Sequence, residues 1–323
     1  MLGVTVVIPL ITGIVIAGIL TYFLIPVLRK LAGQNIREDG PQAHLQKAGT
    51  PSMGGIAIIV AIVAAFLAGR HINWEGTMII LSLLLFGGIG FFDDWLKVVK
   101  KKNEGLKAWQ KFGLQFIISV AIAVYMAYFS GQGTDVYIPF SGTSVDFGVM
   151  YIPFIVFTML AMVNAVNLTD GLDGLAAGTT AIVAAYLTWL ASSLTVVLFN
   201  LSVVTIMAGT TGACIGFLIW NKNPAKVFMG DTGSLALGGV IAAAAISMRM
   251  ELILPIIGLI YVLEVLSVCI QVAYFKATHG KRIFKMTPLH HHFELSGMHE
   301  KKVVAMFWGI TIVCCIIGLF ALR

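Results

Sequence analysis

The chain has 323 residues, of which 59% are hydrophobic and 11% charged, and its formal net charge is +6. So apolar a composition excludes an ordinary soluble domain and predicts a polytopic membrane protein. The basic residues gather in a few loops and form no stripe interleaved with aromatics, which argues against nucleic acid as a partner.

A bilayer crossing needs roughly 17–25 apolar residues, and about ten stretches meet that length. They lie near 3–28, 53–69, 77–95, 112–130, 149–166, 174–192, 198–220, 233–250, 252–275 and 303–322. The first has no basic segment before it and no small-residue cleavage site after it, so it is expected to be retained as a helix. Loop charge alternates sharply. Arg29, Lys30, Arg37 and Lys47 separate the first two stretches, and Lys97, Lys100, Lys101, Lys102, Lys107 and Lys111 follow the third. Lys222 and Lys226 follow the seventh; Lys276, Lys281, Arg282, Lys285, Lys301 and Lys302 follow the ninth. The alternate loops hold only Arg70, Arg249 and the terminal Arg323. The positive-inside bias therefore places both termini outside and the basic loops in the cytosol.

Segment 130–148 alternates small, polar and β-branched residues around Pro139, and predicts a short outer hairpin or a plain loop. Cys214, Cys269, Cys314 and Cys315 all sit in apolar runs without a CxxC, and read as core residues. One membrane domain over 1–323, all-α apart from the hairpin, is the simplest division.

The acids carry the chemistry. The run Thr77 to Phe92 ends on Asp93-Asp94, two carboxylates that repel at the lip of a bilayer unless a cation compensates them. A solvated helix end is the plainer reading of that pair alone. The same face, however, receives Asp170 and Asp173 from Asn167-Leu-Thr-Asp170-Gly-Leu-Asp173-Gly, and Asp231 from Phe228-Met-Gly230-Asp231-Thr-Gly-Ser234. Carboxylates from three loops among lysines from three others predict a site for a divalent cation and a phosphorylated ligand. Mg²⁺ suits it, being held by one or two carboxylates plus substrate phosphates.

Asn164, Asn167, Asp170 and Asp173 recur every third residue and are expected to form one drifting polar face on a helical turn. Asp231 or Thr232 is either a helix cap or part of a helix start that receives phosphate. His290-His291-His292 cannot all point one way, which argues against a three-histidine zinc site and favours phosphate or sugar recognition, or proton transfer. Lys47, Thr50 and Ser52 place a cation and two hydroxyls just before the second helix. Asn221 and Phe228 bracket a loop, where the phenyl ring either stacks on a base or packs at the membrane interface. Glu264 falls near mid-membrane, as a functional acid or a buried structural one, and Gln271 lies further along the same helix.

These residues resemble a known family. FFDDWLK at 91–97, NLTDGLDGLAAG at 167–178, FMGDTGS at 228–234 and PLHHHFE at 288–294 are similar to the phospho-N-acetylmuramoyl-pentapeptide transferases. The blocks at 167–178 and 228–234 also mark the wider polyprenyl-phosphate N-acetylhexosamine-1-phosphate transferase superfamily; the histidine block is the more discriminating one.

The resemblance implies a ten-helix bacterial inner-membrane protein with a cytosolic cleft, working as a homodimer. It implies UDP-MurNAc-pentapeptide and undecaprenyl phosphate as substrates, lipid I and UMP as products, and Mg²⁺ as cofactor. On the matching motifs, Asp231 would be the metal ligand and Asp93 and Asp94 the catalytic pair. Asn167, Asp170, Asp173, Asn221, Phe228 and Gly230 would shape the nucleotide side. Lys47, Thr50, Lys97, Lys111, Gln271, Arg282, His290, His291 and His292 would contact diphosphate or sugar. A break between Phe275 and Met286 is the expected lateral route for the lipid.

Two rivals follow from the same residues. A sister enzyme would transfer GlcNAc-1-phosphate to the same lipid. A cation-coupled transporter would gather its acids at the bilayer midplane on broken helices. A CDP-alcohol phosphotransferase is disfavoured, because Asp173-Gly-Leu-Ala-Ala177-Gly lacks the arginine that its pattern requires.

Overall fold

The computed structural model describes residues 2–31, 49–100, 104–198 and 200–321. The apolar runs fold as helices: α1 (Leu2–Leu31), α2 (Gly55–Gly69), α3 (Trp74–Lys100) and α4 (Ala108–Tyr128) come first. The strands β1 (Asp135–Ile138) and β2 (Thr143–Asp146) follow, then α5 (Tyr151–Thr169), α6 (Leu175–Leu198), α7 (Leu201–Asn221) and α8 (Gly230–Ser247). The chain closes with α9 (Leu254–Ile257), α10 (Leu259–Ala277), α11 (Leu289–Leu295) and α12 (Glu300–Gly318). Among the described residues nine helices are long and apolar enough to span a bilayer, while α2, at 15 residues, is shorter. The protein is a multi-pass membrane protein.

At its centre stands α8. From Thr232 to Ser247 every residue of it is buried, as expected of a helix that is apolar all round. Small residues let its neighbours close in without side chains between them. A Cβ on Gly238 would lie 2.5 Å from Val163 Cα of α5, and one on Gly90 of α3 would lie 2.0 Å from the carbonyl oxygen of Asp231. These two contacts bring the polar ends of α3, α5 and α8 to one point.

The hairpin forms as expected, pairing Asp135 with Asp146 and Ile138 with Thr143 in antiparallel register. It lies on the face opposite the basic loops. Arg249 holds it there, its guanidinium 3.2 Å from Asp135 and its carbonyl accepting from Tyr137 N–H at 3.1 Å.

Three expectations change. The third helix does not end at Asp93-Asp94 but runs on to Lys100, because Lys97, one turn further, compensates both acids. The ninth stretch is not one helix: a 3₁₀ turn over Glu251–Ile253 leads into α9, which stops at Gly258 before α10 begins. Pro255 in the first turn of α9 has no N–H to donate and suits a helix start. The polar face expected over 164–173 also breaks, since α5 stops at Thr169 and its polar residues go to different partners.

Candidate active site

Asp93 and Asp94 occupy the last turns of α3 and are 3% and 4% exposed, so they are not solvated helix-end acids. Asp231 sits in the first turn of α8. Oxygens from the three carboxylates lie within 4.8 Å of one another. Two ammonium groups hold them together. Lys97 Nζ is 2.6 Å from Asp93, 3.5 Å from Asp94 and 2.9 Å from Asp231, and Lys111 Nζ, from α4, is 2.9 Å from Asp231.

Each acid has a further anchor. Asn167 of α5 donates to Asp231 Oδ1 at 2.8 Å and also to Ser234. Asp231 therefore reaches into the cleft and does not cap its own helix. Asp94 does the capping from outside: its Oδ2 accepts from Thr232 N–H at 2.9 Å and from the Thr232 hydroxyl at 2.7 Å. A carboxylate at a helix N-terminus is favourable, so Asp94 also fixes α8 against α3. Asp93 Oδ1 accepts from Leu106 N–H at 2.9 Å, drawing the loop before α4 across the cluster.

Gly230 is required by this arrangement. Its φ is +74°, and a Cβ there would meet Asp94 Oδ2 at 2.6 Å and Ser52 Oγ at 2.8 Å. Gly230→Ala is expected to cost about 1–3 kcal/mol in backbone strain alone. Its thermal midpoint in detergent should fall, and turnover should drop because Asp94 is displaced. Unchanged turnover would show that the Asp94 position is not critical.

The cluster can accept a divalent cation. Its donors are all carboxylate oxygens, which suits a hard cation such as Mg²⁺. The three acids against Lys97 and Lys111 leave one negative charge, and Asp170 faces them as well. Its carboxyl, half-buried just past the end of α5, is pushed well above the usual carboxylate range, by burial first and then by the charges of Asp231, Asp94 and Asp173. A cation among these acids would offset the part of that shift that comes from their charges. Ser52, from the stretch before α2, is buried beside the same spot, and its hydroxyl has no partner among the described residues.

The other expected residues take separate positions. Lys47 is outside the described residues, as are Lys101 and Lys102; Thr50 is half-buried. Asp173 does not share a face with Asn167. It accepts from Ala225 N–H and from Asn223, which also donates to Glu300 of α12. Asn221 is buried and spans the same loop, accepting from Gly174 N–H and donating to the Val227 carbonyl. Together they shape the segment that presents Phe228, half-buried, whose backbone pairs with Pro51 and Gly54. Asn164 departs in another direction, donating to Gln115 of α4 at 2.8 Å.

The histidines fall on α11, a short helix and not an open loop. Their side chains diverge, as three consecutive residues must. His290 is fully buried against Glu264, His291 bonds Glu294 at 2.9 Å, and His292 accepts from Lys285 N–H at 3.2 Å. Gln271 ties the chain before them, accepting from the N–H groups of Ile283 and Phe284. Arg282 is exposed, its guanidinium 5.9 Å from the Phe275 ring centre.

Sequence reasoning weighed Ser52, Thr232 and Glu264 but assigned none of them a place in the site. Ser52 stood beside Thr50 in a stretch already singled out, and Thr232 stood between the two glycines that flank Asp231. Glu264 had a signal too, as an acid within an apolar helix.

Known proteins are similar to this chain over most of its length. The sequence model for Glycosyl transferase family 4 matches residues 76–249, which include every member of the acid and lysine cluster. The model for phospho-N-acetylmuramoyl-pentapeptide-transferase signature 1 matches residues 47–59, which include Lys47, Thr50 and Ser52. A phospho-N-acetylmuramoyl-pentapeptide-transferase of Thermoanaerobacter sp. is 48% identical over 301 residues, 92% of each chain. One of Alkaliphilus metalliredigens is 50% identical over 325 residues, 97% of each chain. One of Clostridioides difficile is 47% identical over 298 residues, 92% of this chain and 91% of the relative.

Proposed function

This chain belongs to the phospho-N-acetylmuramoyl-pentapeptide-transferase family, and on that premise we propose that it acts in peptidoglycan synthesis with UDP-MurNAc-pentapeptide as donor. The acceptor is undecaprenyl phosphate, and the products are lipid I and UMP. The enzyme is a homodimer in the bacterial inner membrane with its cleft toward the cytoplasm. The observation that carries this reading is the meeting of Asp93, Asp94 and Asp231 with Lys97 and Lys111 at the polar ends of apolar helices. Only there can a lipid-borne phosphate meet a soluble nucleotide.

Phosphoryl transfer depends on in-line positioning and charge neutralisation more than on covalent help. Lys97 and Lys111 neutralise phosphate oxygens, and Asn167 keeps Asp231 aimed into the cleft. Asp93, Asp94 and Asp231 would hold Mg²⁺, which when bound supplies charge stabilisation to the diphosphate and the departing UMP. Asp93 orients the lipid phosphate, which attacks directly; held through both oxygens by Lys97 and Leu106 N–H, its carboxylate is fixed for that role. Phe228 lies against the base. His291, His292 and Arg282 reach the sugar and diphosphate, while Asp173, Asn221, Gln271 and His290 hold the loops that present them.

UMP release tests the reading. Purified protein in detergent receives undecaprenyl phosphate with UDP-MurNAc-pentapeptide or UDP-GlcNAc, with and without Mg²⁺. Turnover of the first donor alone, abolished by chelation, is expected. Turnover of UDP-GlcNAc would move the enzyme to the sister reaction. A phospho-aspartate formed with donor alone would replace direct attack by a two-step route. Light scattering of the detergent complex tests the homodimer.

A further inference from the structure

The cluster does not use the acid at Glu264, which is 0% exposed in the second turn of α10. A carboxylate so placed is costly unless its oxygens are committed. Both are committed to one residue. Oε1 accepts from His290 N–H at 3.3 Å, and Oε2 pairs with His290 Nδ1 at 3.1 Å. A carboxylate that accepts at both oxygens pairs with the tautomer that carries its hydrogen on Nδ1.

The other edge of the ring meets Gly171, the residue after Asp170. A Cβ at Gly171 would lie 2.1 Å from His290 Nε2, which is buried and has no partner among the described residues. The imidazole is thus held between a carboxylate on one side and bare backbone on the other. A helix of seven residues such as α11 has little stability of its own, and its position is set by what it is tied to.

We infer that Glu264 is a positioning residue for the histidine motif: through His290 it pins α11 against the turn that carries Asp170, and so sets where His291 and His292 stand over the donor. His290 touches no substrate in this arrangement. The inference rests on the reading that the motif serves donor binding.

The test measures UMP release over a grid of UDP-MurNAc-pentapeptide and undecaprenyl phosphate. Full-length wild type, Glu264→Gln, His290→Ala and the double variant are compared, each with its thermal midpoint. Glutamine keeps the size but cannot accept from both His290 donors. Glu264→Gln is expected to raise KM for the nucleotide donor about tenfold while KM for the lipid stays within about twofold, and the double variant should be no worse than His290→Ala alone. Losses that multiply, or a Glu264→Gln enzyme equal to wild type beside an impaired His290→Ala, would overturn the inference. So would a fall in kcat with both KM values unchanged, which marks only a smaller folded fraction. A fully active His290→Ala would instead remove the role of the motif in donor binding. If Glu264→Gln does not fold, Gly171→Ala decides, because its methyl displaces the same ring from the opposite side with Glu264 intact. The same rise in donor KM is expected, and an unchanged donor KM would overturn the pin.

Discussion

Asp231→Asn is expected to lower UMP release by about 10²–10³-fold, the loss seen when one group aimed at developing charge is removed. The fold should survive, because α8 is buried along its length and its N-terminus is capped by Asp94, not by Asp231. The asparagine carbonyl can still accept from Asn167, but Lys97 and Lys111 lose the carboxylate they share at 2.9 Å. A charge is lost while the shape is kept. Two measurements check this: turnover at saturating substrates, and the rise in thermal midpoint on adding Mg²⁺. Both should collapse together. Retained Mg²⁺ stabilisation with lost turnover would move the metal site to Asp93 and Asp94 and leave Asp231 a phosphate-side role.

Lys97→Met should be as severe, by a different route. The ammonium lies among all three carboxylates, and its removal takes the cluster from one negative charge to two, with only Lys111 left. Breaking one partner out of a buried ionic group costs about 3–5 kcal/mol, and Lys97, at 30% side-chain exposure, belongs at the low end, about 3 kcal/mol. Without divalent cation the thermal midpoint should fall well below wild type. The same excess charge attracts a cation more strongly, so Mg²⁺ should raise the midpoint of Lys97→Met more than that of wild type. Turnover should stay about 10²-fold down even at high Mg²⁺, since the ammonium also neutralises phosphate. An equal Mg²⁺ effect on both proteins would show that lysine and cation do not share the cleft.

Much of this was legible in the chain. Runs of apolar residues fix helix length because lipid offers the backbone no other partner, and the loop lysines fix which acids share a face. The grouping of Asp93, Asp94, Asp231 and the lysines followed from that sorting. So did the divergence of the three histidines, which is a property of consecutive residues on any backbone.

What remained undetermined was direction at close range. The spacing of Lys97 from Asp93 and Asp94 lets α3 continue past them, but nothing local says that the same ammonium also meets Asp231 from another helix. The regular spacing of Asn164, Asn167, Asp170 and Asp173 suggested one face, but helix α5 ends between the second and third of them, and Asn164, Asn167 and Asp173 go to different neighbours. Whether Glu264 was functional or structural could not be read from its position, because its partner His290 lies 26 residues away. Sequence determined which groups reach the membrane face, since transfer from water to lipid is a property of each residue. Only the tertiary structure decided which group meets which, since a hydrogen bond or ion pair forms over about 3 Å and depends on how separate helices pack.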